Sequence, residues 1–212
     1  MRYDDRRHAG ALLGAEVAGL DPPNPVVYAL PRGGVPVGFE VAQALSCPLD
    51  VVVVRKLGVP YQPELAMGAI AEGDVVIRNP EVIALARVTD EVFSSVLEVE
   101  QAELEKRVGS YREVVDRVDP SDRTAVVVDD GLATGSTALA ALEAMRHLGA
   151  SQVWLAVPVA PAGSLGRLEV AADRIVAPQR PHSFGAVGVW YRDFDQTTDR
   201  EVRDLLTESR LP

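Results

Sequence analysis

The sequence predicts an α/β fold: a doubly wound, mostly parallel sheet flanked by helices, with a small hood and a helical insertion. Three observations predict it. Four short apolar runs rich in β-branched residues lack polar alternation, the pattern of strands covered on both faces. Three of these runs lead through turn residues into a helical pattern, the rhythm of strand and crossover helix. The 212 residues, 47% apolar and 25% charged, suffice for a substantial core without a disulfide or metal staple.

In order, Val26–Leu30 reads as the first strand and Val35–Leu45 as the helix after it. Val51–Val54 is the second strand, followed by a Pro- and Gly-containing loop from Gly58 to Met67. Ile70–Arg78 reads as a hairpin turning at Glu72-Gly73-Asp74. Thr89 or Asp90 can cap a helix running towards Arg117 without an internal proline, with Glu103 and Arg107 as a supporting i, i+4 pair. Its apolar stripe, Val92, Val96, Val99, Leu104 and Val108, needs a partner. Packing within its own domain is the expectation, a lid-like or dimer-forming insertion the alternative. Ala125–Val128 is the third strand, and Ser136–Leu148 its helix, closed by Gly149 as a C-cap. Val153–Val157, a helix over Gly163–Ala172 and a last strand near Arg174–Ala177 complete the pattern.

Charge narrows the function. With 21 basic and 31 acidic residues, the net charge of −10 disfavours nucleic acid and anionic membrane as partners, while allowing a local basic pocket. The lone Cys47 cannot form an internal disulfide and reads as a small buried hydrophobe; three histidines and one cysteine make no protein-built zinc site. MRYDDRRHAG has no following apolar stretch, and no run reaches membrane-spanning length, so the expectation is a cytoplasmic protein.

The segment that carries chemistry is Thr124–Thr137, TAVVVDDGLATGST. A buried strand ends in Asp129 and Asp130; a tight loop then opens a helix whose start holds Thr134, Gly135, Ser136 and Thr137. Converging amides, the positive end of a helix and several hydroxyls make a phosphate cradle. The loop lacks the lysine and spacing of an ATP-binding P-loop, and the three-glycine dinucleotide pattern. Two carboxylates ahead of a phosphate site suit vicinal hydroxyls or a metal, and a ribose 5-phosphate moiety satisfies both halves.

VVVDDGLATGST resembles the signature of type I phosphoribosyltransferases, which bind 5-phosphoribosyl-1-diphosphate (PRPP). The resemblance implies that Asp129 and Asp130 hold the ribose hydroxyls, and that Ala133, Thr134, Gly135, Ser136 and Thr137 hold the 5-phosphate. Gly131 departs from the aliphatic residue usual there. Tyr28–Gly38, YALPRGGVPVG, is similar to the family's diphosphate-binding corner, which implies Arg32, Gly33 and Gly34 for the diphosphate. Arg55-Lys56, at the end of the second strand, is similar to the pair opening the mobile catalytic loop of adenine- and orotate-type members. Lys56 would neutralise the leaving group, Arg55 would support it, and Gly58–Met67 would be the lid.

The resemblance further implies displacement of diphosphate from C1 of PRPP by a ring nitrogen, with inversion and an oxocarbenium-like transition state. Mg²⁺ would be held by substrate and water rather than directly by protein groups. A homodimer and a role in nucleotide salvage are the matching expectations. Ala133 stands where hypoxanthine-guanine members have an aspartate, so a base would come from elsewhere, with Glu64 and Glu72 nearest in sequence. Pro178–Phe194 is the hood candidate, with Phe184, Trp190 and Tyr191 to face a planar, nucleobase-like acceptor; Trp190 and Tyr191 serve equally well as core or interface residues. The expectation is a single domain over 1–212, its core about 20–60 and 120–178, its insertion about 61–118. Two alternatives stay open: a silent regulator binding PRPP or a nucleotide, and a Mg²⁺-dependent phosphatase, which would need a third carboxylate or nucleophile at another strand end.

Overall fold

The computed structural model describes residues 2–166 and 168–210, with the backbone alone at Glu64. The first half contains α1 (Arg6–Ala18), β1 (Pro25–Ala29), α2 (Gly34–Leu45), β2 (Leu49–Val51), β3 (Val54–Val59), β4 (Gln62–Ala71) and β5 (Val75–Arg78). Then come α3 (Pro80–Leu85), α4 (Asp90–Arg112), β6 (Thr124–Val128), α5 (Ser136–His147), β7 (Gln152–Ala156), α6 (Leu168–Ala171), β8 (Arg174–Val176), and α7 (Asp199–Glu208) after a short 3₁₀ turn at Val187–Trp190.

Five strands form a parallel sheet in the order β2-β1-β6-β7-β8. Val27 and Ala29 of β1, with Val126 and Val128 of β6, point into the core under α2; Val26, Tyr28, Ala125 and Val127 point into the opposite core, under α5. Both faces are dry, which is why these strands carry no polar alternation. β1 lies beside β6, and their following helices cover opposite faces. The crevice at the carboxyl ends of these two strands is therefore the sheet's topological switch point.

β3, β4 and β5 form a second, antiparallel sheet whose apolar side chains Leu57, Val59, Met67 and Ile70 join the core under α4. This corrects several expectations. The Val51–Val54 run is not one strand: Val51 ends β2, and Val54 begins β3 after the chain leaves the parallel sheet. Gly58–Met67 is a hairpin and not an open loop, because β3 and β4 pair across a turn at Pro60-Tyr61, with Val59 opposite Gln62. The Ile70–Arg78 hairpin is present, turning at residues 72–74.

α4 ends at Arg112, five residues before Arg117, where its last side chain is drawn into a buried ionic cluster. Its buried residues are Phe93, Leu104 and Tyr111, whereas Val92 and Val99 are exposed. Those three lie on one helical face against the second sheet, so the helix packs on its own chain. The helix expected over Gly163–Ala172 shrinks to α6, since Gly163 and Gly166 in its first half are poor helix formers. α1 was not expected. It lies so close to α2 that a side chain at Gly10 would stand 2.7 Å from the Val37 carbonyl.

The ionic cluster joins three elements. Arg112 donates through Nη1 to Asp50 Oδ1 at 2.7 Å, and through Nε and Nη2 to the two Glu72 oxygens at 2.8 and 2.7 Å. Asp50 is fully buried and also accepts from the amides of Val51 and Val118 at 2.7 and 2.8 Å. Burial raises its pKa, an effect that the Arg112 guanidinium opposes. Cys47 is half-buried, and burial pushes its thiol up to about 11. Among the described residues no helix is long and apolar enough to cross a membrane.

Candidate active site

β1 and β6 deliver their loops to the same point of the rim. After β1, the peptide between Pro31 and Arg32 is cis, and Gly33 opens α2 as its N-cap. After β6, Asp129 and Asp130 turn back towards that corner. A methyl group on Gly33 would overlap the Asp130 carboxylate, and one on Gly34 would stand 2.7 Å from the Val128 carbonyl. Glycine is thus required where the backbone of one loop touches the acids of the other. We expect Gly33→Ala to displace Asp130 and to cost about 1–3 kcal/mol in stability from overpacking; chemical denaturation would measure it.

The acid pair is knit together locally. The Asp130 amide donates to Asp129 Oδ1 at 2.8 Å. Burial, then the neighbouring Asp130 charge, raise the Asp129 pKa well above the ordinary carboxylate range. Burial also raises Asp130, opposed by Arg6, whose Nε donates to Asp130 Oδ2 at 2.8 Å. Arg6 was not foreseen: it comes from α1, 124 residues away, and no local pattern marks it.

Beyond the acids, the chain passes Ala133, Thr134, Ser136 and Thr137, all exposed, into α5. Gly135, at φ +74°, is the N-cap and offers no side chain to the first turn; the Ser136 amide reaches only the Thr134 hydroxyl, at 3.5 Å. The hydroxyls of Thr134 and Ser136 lie 3.3 Å apart beside them. Amides at the positive end of a helix, with two hydroxyls alongside, are the chemistry that an anion favours.

The other expected site residues divide. Arg32 stands at the β1 corner with Nη1 3.5 Å from Asp199 Oδ2. Asp199 begins α7 and also accepts from the Tyr111 hydroxyl at 3.0 Å. Burial, then the hydrogen bond to Asp199, push the Tyr111 phenol up to about 12. A groove of about 690 Å³ between α4 and α7 reaches Asp199, but neither the acids nor residues 133–137 line it. Tyr191 is 1% exposed and donates to the Asp130 carbonyl at 2.5 Å, so its ring braces the acid loop from behind. Burial raises its pKa. Trp190 stacks on Phe184 at 6.4 Å between centroids and donates to the Phe184 carbonyl at 3.1 Å.

Arg55 and Lys56 lie on β3, in the second sheet, not at the end of a parallel strand. Arg55 is ion-paired with Glu100 of α4, and Lys56 is half-buried opposite Ala69. Glu72 belongs to the Arg112 cluster, where both its carboxylate oxygens accept from that guanidinium. The Glu64 side chain lies outside the described residues. Asp199 and α7 could have been found in the sequence, because Thr198-Asp199-Arg200-Glu201 is a capping box and Thr198 accepts from the Glu201 amide at 3.1 Å.

The phosphoribosyl transferase domain model matches residues 8–191 of the chain. Two curated proteins of Mycobacterium tuberculosis, from strains CDC 1551 and H37Rv and each provisionally named a phosphoribosyl transferase, are 47% identical over 94% of this chain. The match covers 45% of either relative, so the chain spans about half their length. The crystal structure of TT1426 from Thermus thermophilus superposes with a TM-score of 0.91 at 42% identity, covering 98% of this chain and 99% of that one.

Proposed function

As the chain belongs to the phosphoribosyl transferase domain family, we propose that it transfers the 5-phosphoribosyl group of PRPP to the nitrogen of a nucleobase-like acceptor and releases diphosphate. One observation carries the reading: the twin carboxylates after β6 meet the Gly33-Gly34 corner of β1 at the switch point, directly ahead of a helix start whose N-cap is a glycine. A sugar phosphate matches that order of groups. Residues 133–137 would take the 5-phosphate, Asp129 and Asp130 the sugar hydroxyls, and Arg32 with the amides of Gly33 and Gly34 the diphosphate.

In the reaction a bond forms between the acceptor nitrogen and C1 while the bond from C1 to the diphosphate oxygen breaks. The electron pair of the broken bond leaves with the diphosphate, and the proton of the acceptor nitrogen passes to water or to a diphosphate oxygen. The protein's share is positioning, through amides and acids fixed beforehand, and neutralisation of the departing charge by Arg32. Among the described residues no three His, Cys, Asp or Glu side chains gather into a metal site. The two clustered acids fit a Mg²⁺ ion that keeps its waters and takes most ligands from substrate, where it would stabilise charge on the diphosphate.

The test is PRPP-dependent diphosphate release by the purified protein, with Mg²⁺ and a panel of purines and pyrimidines. We expect release that requires one class of acceptor. Absence of release with every base, alongside tight nucleotide binding, would favour the regulatory reading. Thr134→Val is expected to weaken PRPP binding by about 1.5–3 kcal/mol, one hydrogen bond to a charged group, as read by calorimetry.

A further inference from the structure

Arg32, at the corner after β1, is met by a side chain from the far end of the chain. Its Nη1 lies 3.5 Å from Asp199 Oδ2, 167 residues away. Asp199 is the first residue of α7, which Thr198 caps and which seats Val202, Leu205 and Leu206 in the core under α2. Its other oxygen, Oδ1, accepts from the Tyr111 hydroxyl at 3.0 Å. Tyr111 is fully buried in the last turn of α4. Its phenol, pushed up to about 12 by burial and then by this bond, keeps its proton through the neutral range. One carboxylate thus links α4, α7 and the β1 corner. Asp199 falls outside the 8–191 span matched by the family model.

We propose that Asp199 is a positioning residue for Arg32, holding its guanidinium where the diphosphate of PRPP is received. This rests on the PRPP reading above. Arg32 is partly exposed, and a long, loose arginine must give up its rotamer freedom when it grips an anion. Held beforehand by Asp199, it has less freedom to lose. An arginine presents several N–H donors in a planar fork, so one nitrogen engaged with Asp199 leaves others for diphosphate oxygens. Asp199 is itself 57% exposed, and the bond from Tyr111 fixes the rotation of its carboxylate. With a guanidinium on one oxygen and a phenol on the other, that carboxylate meets an incoming anion already partnered.

The experiment measures, by calorimetry with Mg²⁺ present, the affinity for PRPP, inorganic diphosphate and ribose 5-phosphate. It compares the wild type, Asp199→Ala, Arg32→Ala and the double variant, with a thermal melt of each. Asp199→Ala is expected to weaken PRPP and diphosphate about three- to tenfold, the cost of ordering one long side chain. Ribose 5-phosphate has no diphosphate for Arg32 to meet, and should bind as it does to the wild type. In the Arg32→Ala background Asp199→Ala should have no further effect, since the two side chains act as one unit. Equal affinity of Asp199→Ala and wild type for PRPP and diphosphate overturns the proposal. Tighter binding does so too, because Asp199 would then compete with the diphosphate for Arg32. A parallel loss of ribose 5-phosphate, or an equal loss in the Arg32→Ala background, also overturns it, since the effect would not pass through Arg32. If Asp199→Ala does not fold, Tyr111→Phe decides: the proposal requires it to weaken diphosphate, leave ribose 5-phosphate unchanged and have no effect once Arg32 is removed. A wild type that does not bind PRPP, or binds it no better than Arg32→Ala does, would sink the underlying reading and the proposal with it.

Discussion

In the double variant Asp129→Asn, Asp130→Asn, PRPP binding is expected to vanish while the fold persists with an unchanged or higher melting temperature. Each carboxylate that accepts a sugar hydroxyl contributes about 1.5–3 kcal/mol, so losing both lowers affinity by at least about a hundredfold. The stability side follows from the raised pKa values. A carboxyl whose pKa is higher folded than unfolded stabilises the fold below its ordinary value of 3.8, and that contribution is lost as pH rises through the folded value. Near neutrality the ionised pair is therefore a burden, and asparagine relieves it. The relief is partly cancelled at Asp130, which loses its Arg6 partner. Asp129→Asn alone should thus raise the melting temperature at pH 7, with a gain that shrinks as pH falls towards 4. Retained PRPP affinity in the double variant would remove the sugar assignment.

Arg112→Met is expected to be the most destabilising single change. It strips the partner from Asp50, which is fully buried, and from Glu72 at once. Breaking one side of a buried ion pair costs about 3–5 kcal/mol, a large part of a domain's net stability of about 5–15 kcal/mol. Urea denaturation would measure the change. The triple variant Asp50→Asn, Glu72→Gln, Arg112→Met should recover much of the loss, because no uncompensated charge remains inside. A single-variant loss below about 1 kcal/mol would show that Asp50 is neutralised by other means, such as protonation.

What the sequence made legible was whatever depends on near neighbours. The strands at Val26, Ala125 and Val153, the helix after Ser136 and the turn at residues 72–74 follow from runs, caps and turn residues only a few positions long. The acid pair and the loop after it were legible for the same reason. α1 was hidden because Gly10 and Gly14, which let it approach α2, weaken its helical pattern. The hairpin of β3 and β4 was hidden by its prolines and by Gly58, whose close approach to the Pro63 carbonyl only pairing reveals. Arg6 and Tyr191 reach Asp130 across 124 and 61 residues, and contacts of that length leave no trace in local spacing.

The strict division of the central strands between two cores bears on how this chain can change. One residue added within β6 would turn every later side chain of that strand over, send valines towards the wrong helix and carry Asp129 to the opposite side of the rim. Length is therefore frozen inside the strands and free only in the loops beyond them. Change in such a protein would then fall on the segments between the strands and helices, with the strand ends left as they stand.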